Sequence, residues 1–188
     1  GKSIPLRKVP FIQRMHSVIS IKRVKWRCSM TSHDIVRNAI VKGLHDYTQL
    51  LVVQSSTIGN MPQYPFITYS VTSPYLQLGM DEEYTEEINS VIRNRHVFHY
   101  ERVFSFTIVA KEEGEAMDIC MKAMRYFRNA GVQELKDKGI VIVEVTNVTA
   151  RDTFITIDYE RRCGFDVRIR LADEEIRETT DVIERLIL

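Results

Sequence analysis

Between Ile140 and Leu171 the chain reads as three successive short strand segments, with few residues between one and the next. Ile140 to Val145 is one segment and Phe154 to Tyr159 is the next. In the third, Phe165, Val167, Ile169 and Leu171 alternate with Asp166, Arg168 and Arg170, the period of two that sends side chains to opposite faces of a strand. Ala150-Arg151-Asp152 and Arg161-Arg162-Cys163-Gly164 read as the turns between them. Links this short cannot carry the crossover that parallel strands need, so antiparallel pairing is expected. Tyr100 to Val109 belongs with these segments: Phe104, Phe106 and Ile108 fall on one face, and Val103, Ser105 and Thr107 on the other. Phe66 to Thr72, entered through Pro65, is a further strand, expected to stop at Ser73-Pro74.

Two helices are predicted to lie against this sheet. Thr31-Ser32-His33-Asp34 supplies capping side chains, and Val36, Ile40, Leu44 and Tyr47 then recur at helical spacing. That helix runs into Leu50-Leu51-Val52-Val53, whose continuous apolar character reads as a strand inside the sheet. Glu112 to Asn129 is the second helix. It carries Ala116, Ile119, Cys120, Ala123, Met124 and Phe127 on one stripe, acids in its first turn, and Arg125 and Arg128 near its last. Gly131 is assigned the left-handed cap, and Val132 to Lys138 reads as a short helical piece closed by Gly139. Residues 75–95, with Asp81, Glu82, Glu83, Glu86 and Glu87 close together, read as an acidic loop with one helical turn at most. Asp181 to Leu188 suits either an edge strand or a final helical turn. The order predicts an α+β fold, a mainly antiparallel sheet covered on one face by two helices, with a basic N-terminal extension.

A chain of 188 residues fits one domain plus an extension, and its 44% apolar content excludes a wholly disordered chain. No apolar run approaches the roughly 20 residues that cross a bilayer, and a soluble, non-secreted protein with no membrane partner is expected. Cys28, Cys120 and Cys163 lie far apart and read as free thiols. Charge is unevenly placed. Residues 1–30 hold eight basic side chains and no acidic one, so the chain's net +1 leaves −7 on residues 31–188. The expected organisation is a basic arm, 1–30, on an acidic domain, 31–188.

In that arm Arg7, Lys8, Arg14, Lys22, Arg23, Lys25, Trp26 and Arg27 are the candidate interface residues. One reading docks them on the acidic body of a neighbouring copy. The alternative is a nucleic-acid-binding module, with the arm on phosphates and aromatics such as Tyr64, Phe66, Tyr69, Tyr75, Tyr84 and Tyr100 stacking on bases. Catalysis, a metal and a cofactor are not expected. The chain has no phosphate-binding glycine loop, nucleophile elbow or His-Glu-x-x-His sequence. His96 and His99, on a strand, would point to opposite faces rather than share a metal.

Three stretches resemble a known family. Tyr64-Pro65-Phe66-Ile67-Thr68-Tyr69 is similar to the proline-led strand of phage neck and tail terminator proteins. Tyr159-Glu160-Arg161-Arg162-Cys163-Gly164-Phe165-Asp166-Val167-Arg168-Ile169-Arg170 is similar to their late strand, and Asp181-Val182-Ile183-Glu184 to their ending. The resemblance covers about residues 34–188 in element order, departing at Cys163, where an aromatic is more usual, and in the length of the basic arm.

It implies a structural virion protein without catalytic activity, assembled in the bacterial host cytoplasm into a hexameric ring. Such a ring stops growth of the tail tube and joins tail to head. Its implied partners are further copies of itself, the tail tube protein, a tail sheath, and the neck or connector proteins, with DNA passing through unread. The expectation that follows puts Asp81, Glu82, Glu83, Glu86 and Glu87 on the channel, where acids would not hold phosphates, and the basic arm on protein.

Overall fold

The computed structural model describes residues 21–29, 32–56, 61–79, 81–89, 91–155 and 158–182. Two long strands are its spine. β5 (Val91–Ala110) and β9 (Asp158–Val182) pair antiparallel along all 20 residues of β5, from Val91 opposite Thr180 to Ala110 opposite Arg161, without a register shift. At about 3.3 Å per residue this ribbon is on the order of 65 Å long. The shorter strands add to its two edges at different heights.

At one end, which we call proximal, β3 (Phe66–Gln77) pairs with β5, and β2 (Val52–Gln54) runs parallel to β3. On the other edge of the ribbon β6 (Val141–Val145), β7 (Thr149–Ala150) and β8 (Thr153–Ile155) fold back on β9. At the distal end β4 (Glu82–Ile88) adds to β5, and β1 (Ile21–Ser29) adds to β9. Every described pairing except β2 with β3 is antiparallel.

Helices α1 (His33–Thr48) and α2 (Glu113–Arg125) lie on one face of the proximal half. Val36, Ile40 and Leu44 from α1 join Ala116, Cys120 and Ala123 from α2 over Phe104, Phe106, Ile108, Phe165, Val167 and Ile169. The aromatic centre is close-packed, with Phe106 at 5.0 Å from Phe127 and 5.8 Å from Phe165 between ring centroids. Tyr47, the fourth residue of the α1 stripe, lies at the margin of this core, partly exposed, with its ring 5.6 Å from that of Tyr126. Arg102 ties the start of α1 to the sheet, donating to the Pro74 carbonyl at 2.9 Å and to His33 Nδ1 at 3.2 Å. Burial, followed by the Arg102 charge, holds the His33 pKa below its ordinary value, which suits a neutral imidazole accepting that bond.

The α+β fold agrees with the sequence, and several local readings do not. Residues 75–95 are not a loop: they hold the end of β3, all of β4 and the first turns of β5's alternation. The carboxylates that argued for a loop face basic residues across the hairpin, with Glu83 opposite His96 and Glu86 opposite Arg93, which favours the paired strand. Ser73-Pro74 does not stop β3. The strand continues to Gln77 through two register shifts, and Pro74, which has no N–H to give, falls in the irregular stretch. Arg161-Arg162-Cys163-Gly164 is no turn but the continuous interior of β9. Gly164 is needed there because a Cβ would lie 2.6 Å from the Phe106 carbonyl and 2.9 Å from the Arg151 guanidinium.

Ser32 is the N-cap of α1, as expected by position, but its side chain makes no capping hydrogen bond. Gly131 is not left-handed. α2 passes into a π-helical turn, Tyr126–Ala130, and Gly131 follows at φ −91°. Its lack of a side chain serves the Tyr126 ring, which a Cβ at Gly131 would meet at 2.3 Å. The short helix α3 (Val132–Asp137) does end at a left-handed Gly139, φ 75°.

Candidate assembly surface

Above the level of Tyr100 and Leu171 the ribbon leaves the helical layer. None of residues 91–99 or 172–179 is buried, whereas both strands alternate buried positions below that level. The distal half is thus a four-stranded antiparallel sheet, β4-β5-β9-β1, with no described helix across either face. Strand alternation sorts its side chains onto two faces. The face continuous with the helix side carries Ile92, Asn94, His96 and Phe98 of β5 with Glu83, Thr85 and Glu87 of β4. The opposite face, which we call bare because no described helix crosses it in the distal half, carries Arg93, Arg95, Val97, His99 and Glu101 with Glu82, Tyr84 and Glu86, and Lys25 and Arg27 of β1.

The two arginines of β5 on the bare face are each matched by a carboxylate of β9. Arg93 Nη2 lies 2.9 Å from Glu178 Oε1, and Arg95 forms an ion pair with Glu174. Lower down, Glu101 is buried and held by Arg170 at 3.0 Å and Arg168 at 3.9 Å, while Arg168 also reaches Glu144 at 3.0 Å. Near the proximal end Arg151 donates to Ser105 Oγ at 2.7 Å and to Asp166 at 3.0 Å, and Ser105 donates to Asp166 at 2.6 Å. Burial alone would push the Asp166 carboxyl up, but these bonds outweigh it and hold it below the ordinary carboxylate value. At the proximal limit a cavity of about 270 Å³ opens beside Phe66, Val109 and Glu160. There Tyr64 donates to Glu160 at 2.7 Å, and burial, followed by that carboxylate, lifts the Tyr64 phenol to about 12.

The expected acidic patch is therefore divided. Glu82 and Glu86 stand on the bare face, Glu83 and Glu87 on the other, and Asp81 is exposed just before the strand. Glu82 lies 3.8 Å from His99 and accepts from Tyr84, and Glu83 lies 3.3 Å from His96. The two histidines do take opposite faces, each with its own carboxylate. Of the basic arm, Lys22, Arg23, Lys25, Trp26 and Arg27 occupy β1, in register with Asp181, Thr180, Glu178, Arg177 and Ile176. Lys25 and Arg27 are exposed. Arg7, Lys8 and Arg14 lie outside the described residues. Of the aromatics, Phe66, Tyr69 and Tyr100 are buried, and Tyr75 stacks on Tyr100 at 4.9 Å.

Sequence reasoning missed the paired ladder of Arg93, Arg95, Glu174 and Glu178. The signal was the i, i+2 spacing of Arg93 and Arg95 against the i, i+4 spacing of Glu174 and Glu178, which gains meaning only once both segments are read as strands.

The family model for the phage neck terminator protein matches residues 38–187, most of the chain. The chain belongs to that family. The match begins inside α1, so β1 precedes it, while the whole ribbon and the described helices beyond the first turn of α1 fall within it. No curated relative matches the chain. Membership gives this surface a context: a phage structural role in which the protein acts as a terminator of the tail at the neck.

Proposed function

We propose that copies of this protein close into a hexameric ring that caps the tail tube in the phage virion and presents its other side to the head-proximal neck and connector proteins. The observation that carries this reading is the match to the neck terminator family over residues 38–187. The fold supports it physically. A sheet that extends well past its helices leaves both faces and both edges of the distal half free of described helices, as a building block for assembly requires.

In this reading the bare face, with Glu82 and Glu86, looks onto the channel through which DNA passes. Acids there repel phosphates, and each arginine of the ladder is already held by a carboxylate, which leaves Lys25 and Arg27 of β1 as the exposed cations on that face among the described residues. Other surfaces contact the tail tube protein and, in a contractile tail, the sheath.

The test is negative-stain electron microscopy with native mass spectrometry across a concentration series, repeated on purified tail tubes. Rings, or caps on tube ends that stop further polymerisation, are the expected outcome. A protein that stays monomeric in both settings and leaves tube growth unchanged overturns the reading.

A further inference from the structure

The two outer strands of the distal sheet carry opposite charge. β4 holds Glu82, Glu83, Glu86 and Glu87 and no basic residue, and β1 holds Lys22, Arg23, Lys25 and Arg27 and no acidic one. They are the two edges of one four-stranded patch, and neither has an outer partner among the described residues. An edge strand offers a row of unpaired N–H and C=O groups and is a template for another strand. Charged side chains on an edge often serve only to keep other chains away, and for that purpose either sign, or a mixture, works equally well. Here the signs are segregated. Such a pattern repels β4 from β4 and β1 from β1, and it attracts β1 to β4.

We infer that β1 of one copy pairs edge to edge with β4 of the next, so that the occupant of each edge is a second copy of this chain. The inference rests on the ring reading above and specifies its interface. The strand directions fit. β4 and β9 run one way, β5 and β1 the other, so copies related by rotation about a ring axis bring β1 alongside β4 antiparallel, the pairing type of the whole distal sheet. The lengths fit as well, nine residues in β1 against seven in β4. The contact joins two different patches, the head-to-tail geometry that closes a ring, while like-charge repulsion disfavours the two-fold pairing that would stop at a dimer. It also gives β1, which lies ahead of the family-matched segment, a role in assembly.

Charge reversal with complementation tests it. One variant carries Glu82→Lys, Glu83→Lys, Glu86→Lys and Glu87→Lys, and the other Lys22→Glu, Arg23→Glu, Lys25→Glu and Arg27→Glu. Each alone is expected to lose rings, since both of its edges then bear one sign. Mixed in equal amounts they are expected to regain rings of alternating composition, visible as mixed masses in native mass spectrometry. Recovery on mixing also shows that each variant folds. Wild-type rings accompanied by variants that still assemble singly, or that stay apart when mixed while keeping wild-type circular dichroism, overturn the edge pairing and leave the ring reading standing. A wild-type chain that forms no ring, in solution or on tube ends, overturns both.

Discussion

Tyr126 sits in a slot made by two glycines, Gly43 inside α1 and Gly131 in the turn before α3. A Cβ at Gly43 would lie 1.9 Å from its hydroxyl oxygen and 2.8 Å from Cζ, and a Cβ at Gly131 would lie 2.3 to 2.8 Å from three ring carbons. The hydroxyl itself is buried without a hydrogen-bond partner among the described residues, and burial lifts its pKa to about 12. An orphaned buried hydroxyl costs on the order of 1 kcal/mol or more, so Tyr126→Phe is expected to raise stability by about that amount in urea unfolding. Overpacking from Gly43→Ala or Gly131→Ala is expected to cost roughly 1–3 kcal/mol each. The two differ in their coupling to Tyr126. Removing the hydroxyl takes away the nearest clash at Gly43 but none of those at Gly131. A double-mutant cycle should therefore show Tyr126→Phe rescuing part of the Gly43→Ala loss and none of the Gly131→Ala loss. Equal rescue of both would mean that the ring, rather than its hydroxyl, limits the slot.

The elements legible in the sequence were those whose burial repeats at a fixed period. α1 and α2 announced themselves through Val36, Ile40 and Leu44 and through Ala116, Cys120 and Ala123, all of which pack on the sheet. The proximal part of β5 did so through Phe104, Phe106 and Ile108. Its distal half was not legible, because Arg93, Arg95 and His96 bury neither face and draw their order from partners more than 70 residues away, such as Glu174 and Glu178. The acidic stretch around Glu82 was read correctly as charge and wrongly as loop, for the same reason: its partner strand is what makes it a strand. Trp26 and the basic residues beside it were legible as a run of charge, and their place beside β9 is set by partners far along the chain.

This division predicts a gradient of stability along one continuous ribbon. In hydrogen exchange on the unassembled chain, amides of 100–110 and 161–171 are expected to exchange roughly 100-fold more slowly than those of 91–99 and 172–180, since the helical layer supports only the former. Uniform protection along both strands would show that the distal sheet needs no assembly partner.

At the scale of the whole molecule the charge pattern bears on what moves past it. Net charge is +1, so nothing in the total separates a nucleic-acid binder from a passive channel wall. The arrangement does. Arg93 and Arg95 are partly exposed, 39% and 47% at the side chain, and Glu178 and Glu174 neutralise them in place. Exposed pairs of this kind contribute about 0–1 kcal/mol to folding, so removing the carboxylates should leave the protein folded. It should change what the bare face does to DNA. Glu174→Gln with Glu178→Gln leaves two arginines without their carboxylates, and each phosphate they engage releases counterions. Fluorescence anisotropy with duplex DNA is expected to show weak binding by the wild-type protein and tighter binding by the double variant. The variant's salt dependence on a log–log plot should steepen by about 1.8, two phosphates at roughly 0.9 each. A wild-type protein that already binds duplex tightly with a steep salt slope would favour the nucleic-acid-binding alternative. A variant indistinguishable from a weakly binding wild type would show that DNA does not meet this face, and it would move the channel to the opposite face, with Glu83 and Glu87.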